Sequence, residues 1–170
     1  MRVAAYIGLG ANLDDPAAQV RYALGELARL PATSLIAQSS LYVSAPVGFD
    51  EQPDFINAVA RLETGLSPRA LLVALLEIEH HHGRERTFRN APRTLDLDLL
   101  LYGAACFHEP GLELPHPRMH ERAFVLAPLL EIASTLTIPI HGPVNALLAR
   151  CLDQSVQLYE PPIRIAGAIQ

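Results

Sequence analysis

The order of apolar patterns predicts an α+β fold: a ferredoxin-like βαββαβ core with an antiparallel sheet and helices packed on it, plus C-terminal helices. Three observations carry that prediction. Four short apolar or alternating stretches, at residues 3–9, 34–43, 57–63 and 94–102, have strand length and strand periodicity. Helical periodicity separates the first from the second and the third from the fourth. Each helical stretch opens on a cap residue followed by proline, which suits the first helical position because its missing N–H would be unpaired there anyway. This is the order of the split βαβ unit, a sheet with helices on one face.

Residues 3–9 are apolar and bounded by Gly8 and Gly10, so they read as a buried strand that turns into a loop, with Asn12 shaping the turn. A lone GxG without a third glycine is not a dinucleotide-binding loop. Asp15-Pro16 opens the first helix, whose Val20, Leu24, Leu27 and Leu30 form one stripe that stops before Pro31. Residues 34–43 are rich in β-branched and apolar side chains, and a loop with Pro46, Gly48 and Pro53 follows. In 57–63, Ala58, Ala60 and Leu62 alternate with Val59 and Arg61. Ser67-Pro68 opens a second helix through Leu71, Leu72, Leu75, Leu76 and Ile78, with Gly83 placed to end it. A polar loop leads into the fourth strand, and helices are expected at 123–132 and 144–152. We expect one domain over residues 1–170, with a loose tail or an edge extension from about residue 159.

Composition narrows the function. The 170 residues hold 13 basic and 18 acidic side chains, a net charge of −5, where a nucleic-acid binder would show a basic surplus. Every basic residue other than histidine is arginine. The absence of lysine excludes the P-loop and Schiff-base chemistry, both of which need a lysine amine. Cys106 and Cys151 form no CxxC pair and suit a reducing cytoplasm. No run approaches the ~18 apolar residues of a membrane span, and the N-terminal segment is interrupted too soon to be a secretory signal.

The sharpest chemical signal is Asp96-Leu97-Asp98 within the fourth strand. Side chains at i and i+2 share a strand face, so the two carboxylates project together while Leu95, Leu97 and Leu99 enter the core. Paired carboxylates repel unless a cation lies between them, and Mg²⁺ favours one or two carboxylates plus phosphate oxygens. A merely wet strand face would show the same alternation. The preceding loop tips the balance, because Arg84, Arg86, Arg89 and Arg93 lie within ten residues. Arginine forks grip the phosphate oxygens that such a metal bridges.

The run from Arg89 to Leu100, RNAPRTLDLDLL, resembles the signature of the 6-hydroxymethyl-7,8-dihydropterin pyrophosphokinase family of folate biosynthesis. The likeness extends to YIGLGANL, to Ser44-Ala45-Pro46-Val47-Gly48, to the segment from Gln52 to Ala58, to Ile78-Glu79 with Gly83-Arg84, and to Leu114-Pro115-His116 with Arg122-Ala123-Phe124. It implies a ferredoxin-like core and transfer of pyrophosphate from ATP to a hydroxymethyl group. By the same resemblance, Asp96 and Asp98 hold two Mg²⁺ ions on the ATP phosphates, while Arg84 and Arg93 stabilise the charge of transfer. Arg86 closes over the phosphates, His116 and Arg122 touch the triphosphate, and Glu79 meets the nucleoside. Phe55 and Phe124 sandwich the pterin, and Asn57 reads its amide edge, helped by backbone groups at Ser44 and Val47. The family's lid tryptophan is replaced by Asn90 and a lid lysine by Thr87, which implies a looser lid that depends more on Arg84 and Arg86. The expected partners are ATP and the reduced pterin, with no nucleic acid and no membrane, for a cytoplasmic monomer.

Two other readings remain to be weighed. His80-His81-His82, with His116 and His120, suggests a zinc hydrolase, but nothing matches HExxH and Pro117 spoils a helical pair. We read the triplet as the cationic end of a helix. An RNA-binding sheet would need exposed aromatics and a basic surface, and aromatics are 6% of the chain.

Overall fold

Residues Val3–Ala11 (β1) form the axis of the sheet in the computed structural model, which describes residues 1–46, 51–82 and 95–160. After β1 come α1 (Pro16–Leu27), β2 (Thr33–Gln38), β3 (Tyr42–Ser44), β4 (Phe55–Thr64), α2 (Pro68–His81) and β5 (Asp96–Tyr102). The strands are antiparallel in the order β3-β4-β1-β5, and β2 pairs with β4 beyond the end of β3. The fold is therefore α+β and ferredoxin-like, with the second strand of the core delivered in two pieces. Ser39 marks the break: its N–H donates to the Val59 carbonyl and its Oγ accepts from the Val59 N–H, both at 2.9 Å.

Both predicted helix starts are capped by side chains. Asp15 Oδ1 accepts from the Ala18 N–H at 3.4 Å, and Ser67 Oγ accepts from the Ala70 N–H at 3.1 Å. Beyond β5, the strands β6 (Phe107–Glu109) and β7 (Leu112–Leu114) make a hairpin, and a 3₁₀ turn at Met119–Glu121 leads into α3 (Ala123–Ile132). A two-residue ladder, β8 (Thr137–Ile138) with β9 (Gly142–Pro143), precedes α4 (Val144–Ala149), which ends earlier than residue 152. An edge strand, β10 (Val156–Leu158), pairs with β3, and Tyr159 then donates from its N–H to the Leu41 carbonyl at 2.9 Å; the rest of the tail or extension expected from about residue 159 lies outside the described residues. No helix among the described residues is long and apolar enough to cross a membrane.

The sheet is covered on both faces, not one. On the first face Ile7, Leu9, Ala58, Leu62, Leu95, Leu97 and Leu99 pack with Val20, Leu24 and Leu27 of α1 and Leu71, Leu75 and Ile78 of α2. On the second, Tyr6, Val59, Leu100 and Leu101 pack with Leu126 and Leu129 of α3 and Val144 and Leu147 of α4. Leu100 and Leu101 enter the same cluster because β5 bulges: Ile7 pairs with Leu99 and Tyr6 with Leu101. The second face is apolar only over half its length. Along β1, β4 and β5 it changes to Gly10, Asn57, Asp96 and Asp98, and these line open space.

Gly8 and Gly10 do not end the strand. β1 continues to Ala11, because both glycines pair with β4 on one side and β5 on the other. A glycine flanked by ladders on both sides marks close approach over a sheet, not a turn.

Candidate active site

Where α3 stops covering the second face, a cleft opens to solvent. Its floor is the sheet. Asn57, Gly10 and Asp96 stand opposite one another on three neighbouring strands, as do Val59, Gly8 and Asp98 in the next row. The walls are Ser44, Ala45 and Phe55 on one side, and Arg118, Arg122, Phe124 and Val125 on the other.

Asp96 and Asp98 both line the cleft as predicted, while Leu95, Leu97 and Leu99 are buried beneath them. Their half-exposure and shared face fix two oxygen-donor groups about 7 Å apart along the backbone. Hard oxygen donors facing a phosphate-sized space, with arginines opposite, fit Mg²⁺. Glu79 differs from the reading above. It is 3% exposed and absent from the cleft lining, and its Oε2 accepts from the Leu97 N–H at 2.6 Å. Leu97 stands between the two aspartates on an edge strand whose outward N–H needs a partner. Glu79 therefore holds the backbone that aims the pair.

On the opposite side, Asn57 is 4% exposed and its Nδ2 donates to Ser44 Oγ at 2.7 Å. Ser44 thus contributes its side chain, as a brace, in addition to any backbone role. Phe55 and Phe124 both line the cleft, and the Arg122 guanidinium lies 5.5 Å from the centre of the Phe124 ring. At the end of β1, Asn12 donates from Nδ2 to Gln52 Oε1 at 2.8 Å and to the Pro53 carbonyl at 3.2 Å. This fastens the strand end to the segment that enters β4.

His116 hangs from β5 through its N–H, which donates to the Leu100 carbonyl at 2.9 Å. Burial, reinforced by the nearby Arg122 charge, pushes its imidazole down to about 4. Its Nδ1 accepts from the Arg118 N–H at 3.2 Å, so the neutral ring carries its proton on Nε2. Arg84, Arg86, Arg93 and Val47 lie outside the described residues, as do Gly83, Thr87 and Asn90. Sequence reasoning missed Arg118 and the two glycines as cleft residues. Arg118 had a signal in its place between His116 and Arg122; the glycines had one only if the strand was carried through them.

The histidine triplet divides. His80 and His81 are exposed, whereas His82 meets Glu26 of α1 at 2.9 Å through Nε2 and bonds Gln19 through Nδ1. It is a helix-to-helix clasp as well as a polar helix end. Among the described residues no three His, Cys, Asp or Glu side chains gather as a metal cage.

Two oxygen-donor carboxylates and a pair of arginines share one cleft with an amide and two aromatic rings. Such a site suits a transferase that handles a polyphosphate and a flat heteroaromatic together. Residues 6–134 match 7,8-dihydro-6-hydroxymethylpterin-pyrophosphokinase (HPPK), and the chain belongs to that family. It is 46% identical over 152 residues to the 2-amino-4-hydroxy-6-hydroxymethyldihydropteridine pyrophosphokinase of Pseudomonas aeruginosa, covering 89% of this chain and 94% of the relative. To the enzyme of the same name from Haemophilus influenzae it is 44% identical over 159 residues, covering 94% and 99%. Its fold is similar to that of a solved HPPK-DHPS in complex with substrates, with a TM-score of 0.69 at 13% identity. That likeness covers 89% of this chain and 44% of the solved one.

Proposed function

We propose that this cleft transfers pyrophosphate from ATP to the hydroxymethyl group of 6-hydroxymethyl-7,8-dihydropterin, releasing AMP, and that the transfer requires Mg²⁺ held by Asp96 and Asp98. The observation that carries the reading is the cross-strand row in which Asn57 and Asp96 flank Gly10. One group suited to an amide-bearing ring and one suited to a phosphate-bound cation are set two strands apart in a single cleft.

The alcohol oxygen forms a bond to the β-phosphorus of ATP. The bond from that phosphorus to the oxygen bridging the α-phosphorus breaks, and AMP leaves with that oxygen. Magnesium, when bound, neutralises phosphate charge and orients the chain. The protein's part is positioning and electrostatics. Asn57, braced by Ser44, orients the pterin between Phe55 and Phe124. Arg118 and Arg122 face the phosphates from the α3 side, and neutral His116 offers an Nε2 proton to a phosphate oxygen. Asp98 or a water takes the alcohol proton. Arg84 and Arg93 add charge stabilisation and Arg86 covers the phosphates, a reading that rests on family resemblance alone. We read two Mg²⁺ ions, a monomer and a cytoplasmic location, where Cys106 and Cys151 stay thiols.

The test is product analysis. Purified protein given ATP, Mg²⁺ and the pterin alcohol should yield AMP and a diphosphorylated pterin in equal amounts. Formation of ADP, or AMP released at the same rate without pterin, would overturn the reading.

A further inference from the structure

In the row Asn57–Gly10–Asp96 the middle residue has no side chain, so the two functional groups face each other across a bare strip of backbone roughly 10 Å wide, two strand spacings. A Cβ placed at Gly10 would lie 3.3 Å from Asn57 Oδ1 and 3.9 Å from Phe55 Cδ1. Asn57 has little room to yield, because its Nδ2 is tied to Ser44 Oγ at 2.7 Å and the residue is buried. Backbone conformation does not demand glycine here: among the described residues the positive-φ glycines are Gly103, Gly111 and Gly142. Gly8, on the same face, would bring a Cβ only to ordinary contact, 3.4 Å from Leu100 methyl carbons. What singles out Gly10 is space beside Asn57 and Phe55, not φ.

The geometry points to Gly10 as a specificity-determining position: its missing side chain leaves the room in which the Asn57 amide, fixed by Ser44, holds the orientation that reads the amide edge of a flat bicyclic heteroaromatic. This rests on the pterin reading above. A methyl group there displaces the Asn57 carbonyl oxygen, and the ring edge moves only because that oxygen no longer holds it. The nearest atoms to that methyl belong to Phe55, Ile56 and Asn57, not to Asp96, so the phosphate side is spared.

The test is binding of the pterin alcohol and of Mg²⁺–ATP, each alone, to full-length wild type and Gly10→Ala, with melting curves alongside. Pterin affinity should weaken about tenfold or more while ATP affinity stays within about twofold. A double-mutant cycle adds a readout that simple strand damage would not give. On an Asn57→Ala background, where the colliding oxygen is gone, Gly10→Ala should cost less than about threefold. Unchanged pterin affinity in Gly10→Ala, equal loss of both ligands, or the full tenfold loss repeated on Asn57→Ala would each overturn the inference. Should Gly10→Ala fail to accumulate, the double variant is compared with Asn57→Ala, and failure of that protein too would place the requirement in the fold and overturn it. A wild type that binds ATP but no pterin would remove the function reading, and this inference with it.

Discussion

Burial keeps the His116 imidazole neutral across the neutral range, with its value at about 4 and Arg122 adding to the effect. The ring is therefore a hydrogen-bond donor at Nε2, not a cation. Between the ordinary value near 6.5 and the folded value, the unfolded chain holds a proton that the folded chain does not. Stability consequently rises with pH through that window and is complete above it. Urea unfolding of the metal-free protein should show stability falling as pH drops from about 6.5 toward 4, and His116→Gln should flatten that fall. An identical slope in the variant would contradict the assignment. At this scale the sequence was readable where one rule governs. Strand alternation placed Asp96 and Asp98 on one face with the leucines beneath. It could not show that Glu79 caps the Leu97 N–H, because which amide a buried carboxylate meets is set by how α2 packs on β5.

Helix α3 decides where the cleft ends, and Glu131 fixes where α3 lies. That carboxylate accepts from the Ser40 N–H at 3.1 Å, from Ser40 Oγ at 3.0 Å and from the Tyr42 hydroxyl at 2.6 Å. Burial and the Glu131 charge hold the Tyr42 phenol above its usual range. The clasp joins α3 to the start of β3, the two elements that carry Phe124 and Ser44 on opposite walls. Glu131→Ala should lower the unfolding free energy by roughly 1–2 kcal/mol, seen as a lower urea midpoint. It should also weaken pterin binding more than ATP binding. An unmoved midpoint would show the clasp to be idle. The existence of α1 and α2 was legible from caps and apolar spacing, and that of α3 from its apolar run. The face that α3 covers was not, since its sequence is apolar nearly all round and carries no stripe to orient it. The split of residues 34–43 into β2 and β3 escaped for a similar reason: Ser39 reads as an ordinary strand residue until its bonds to Val59 are seen.

Across the whole molecule, one sheet serves two purposes because its faces differ. The first is apolar from end to end and binds α1 and α2; the second is apolar under α3 and α4 and polar beyond them. The cleft arises at that boundary, where the fold stops needing side chains for its core and Asn57, Asp96 and Asp98 line open space. A reading with helices on one face only named these residues and, through family resemblance, Ser44, Phe55, Arg122 and Phe124 of the walls, but it missed Arg118. Removing either carboxylate should therefore leave the core intact, since both side chains point away from it. The most direct measurement is turnover of ATP and the pterin alcohol by Asp96→Ala and Asp98→Ala, with melting temperature measured on the same samples. The account predicts a loss in kcat on the order of 10²–10³-fold or more, with a melting temperature close to that of the wild type. Near-normal turnover in either variant would contradict it.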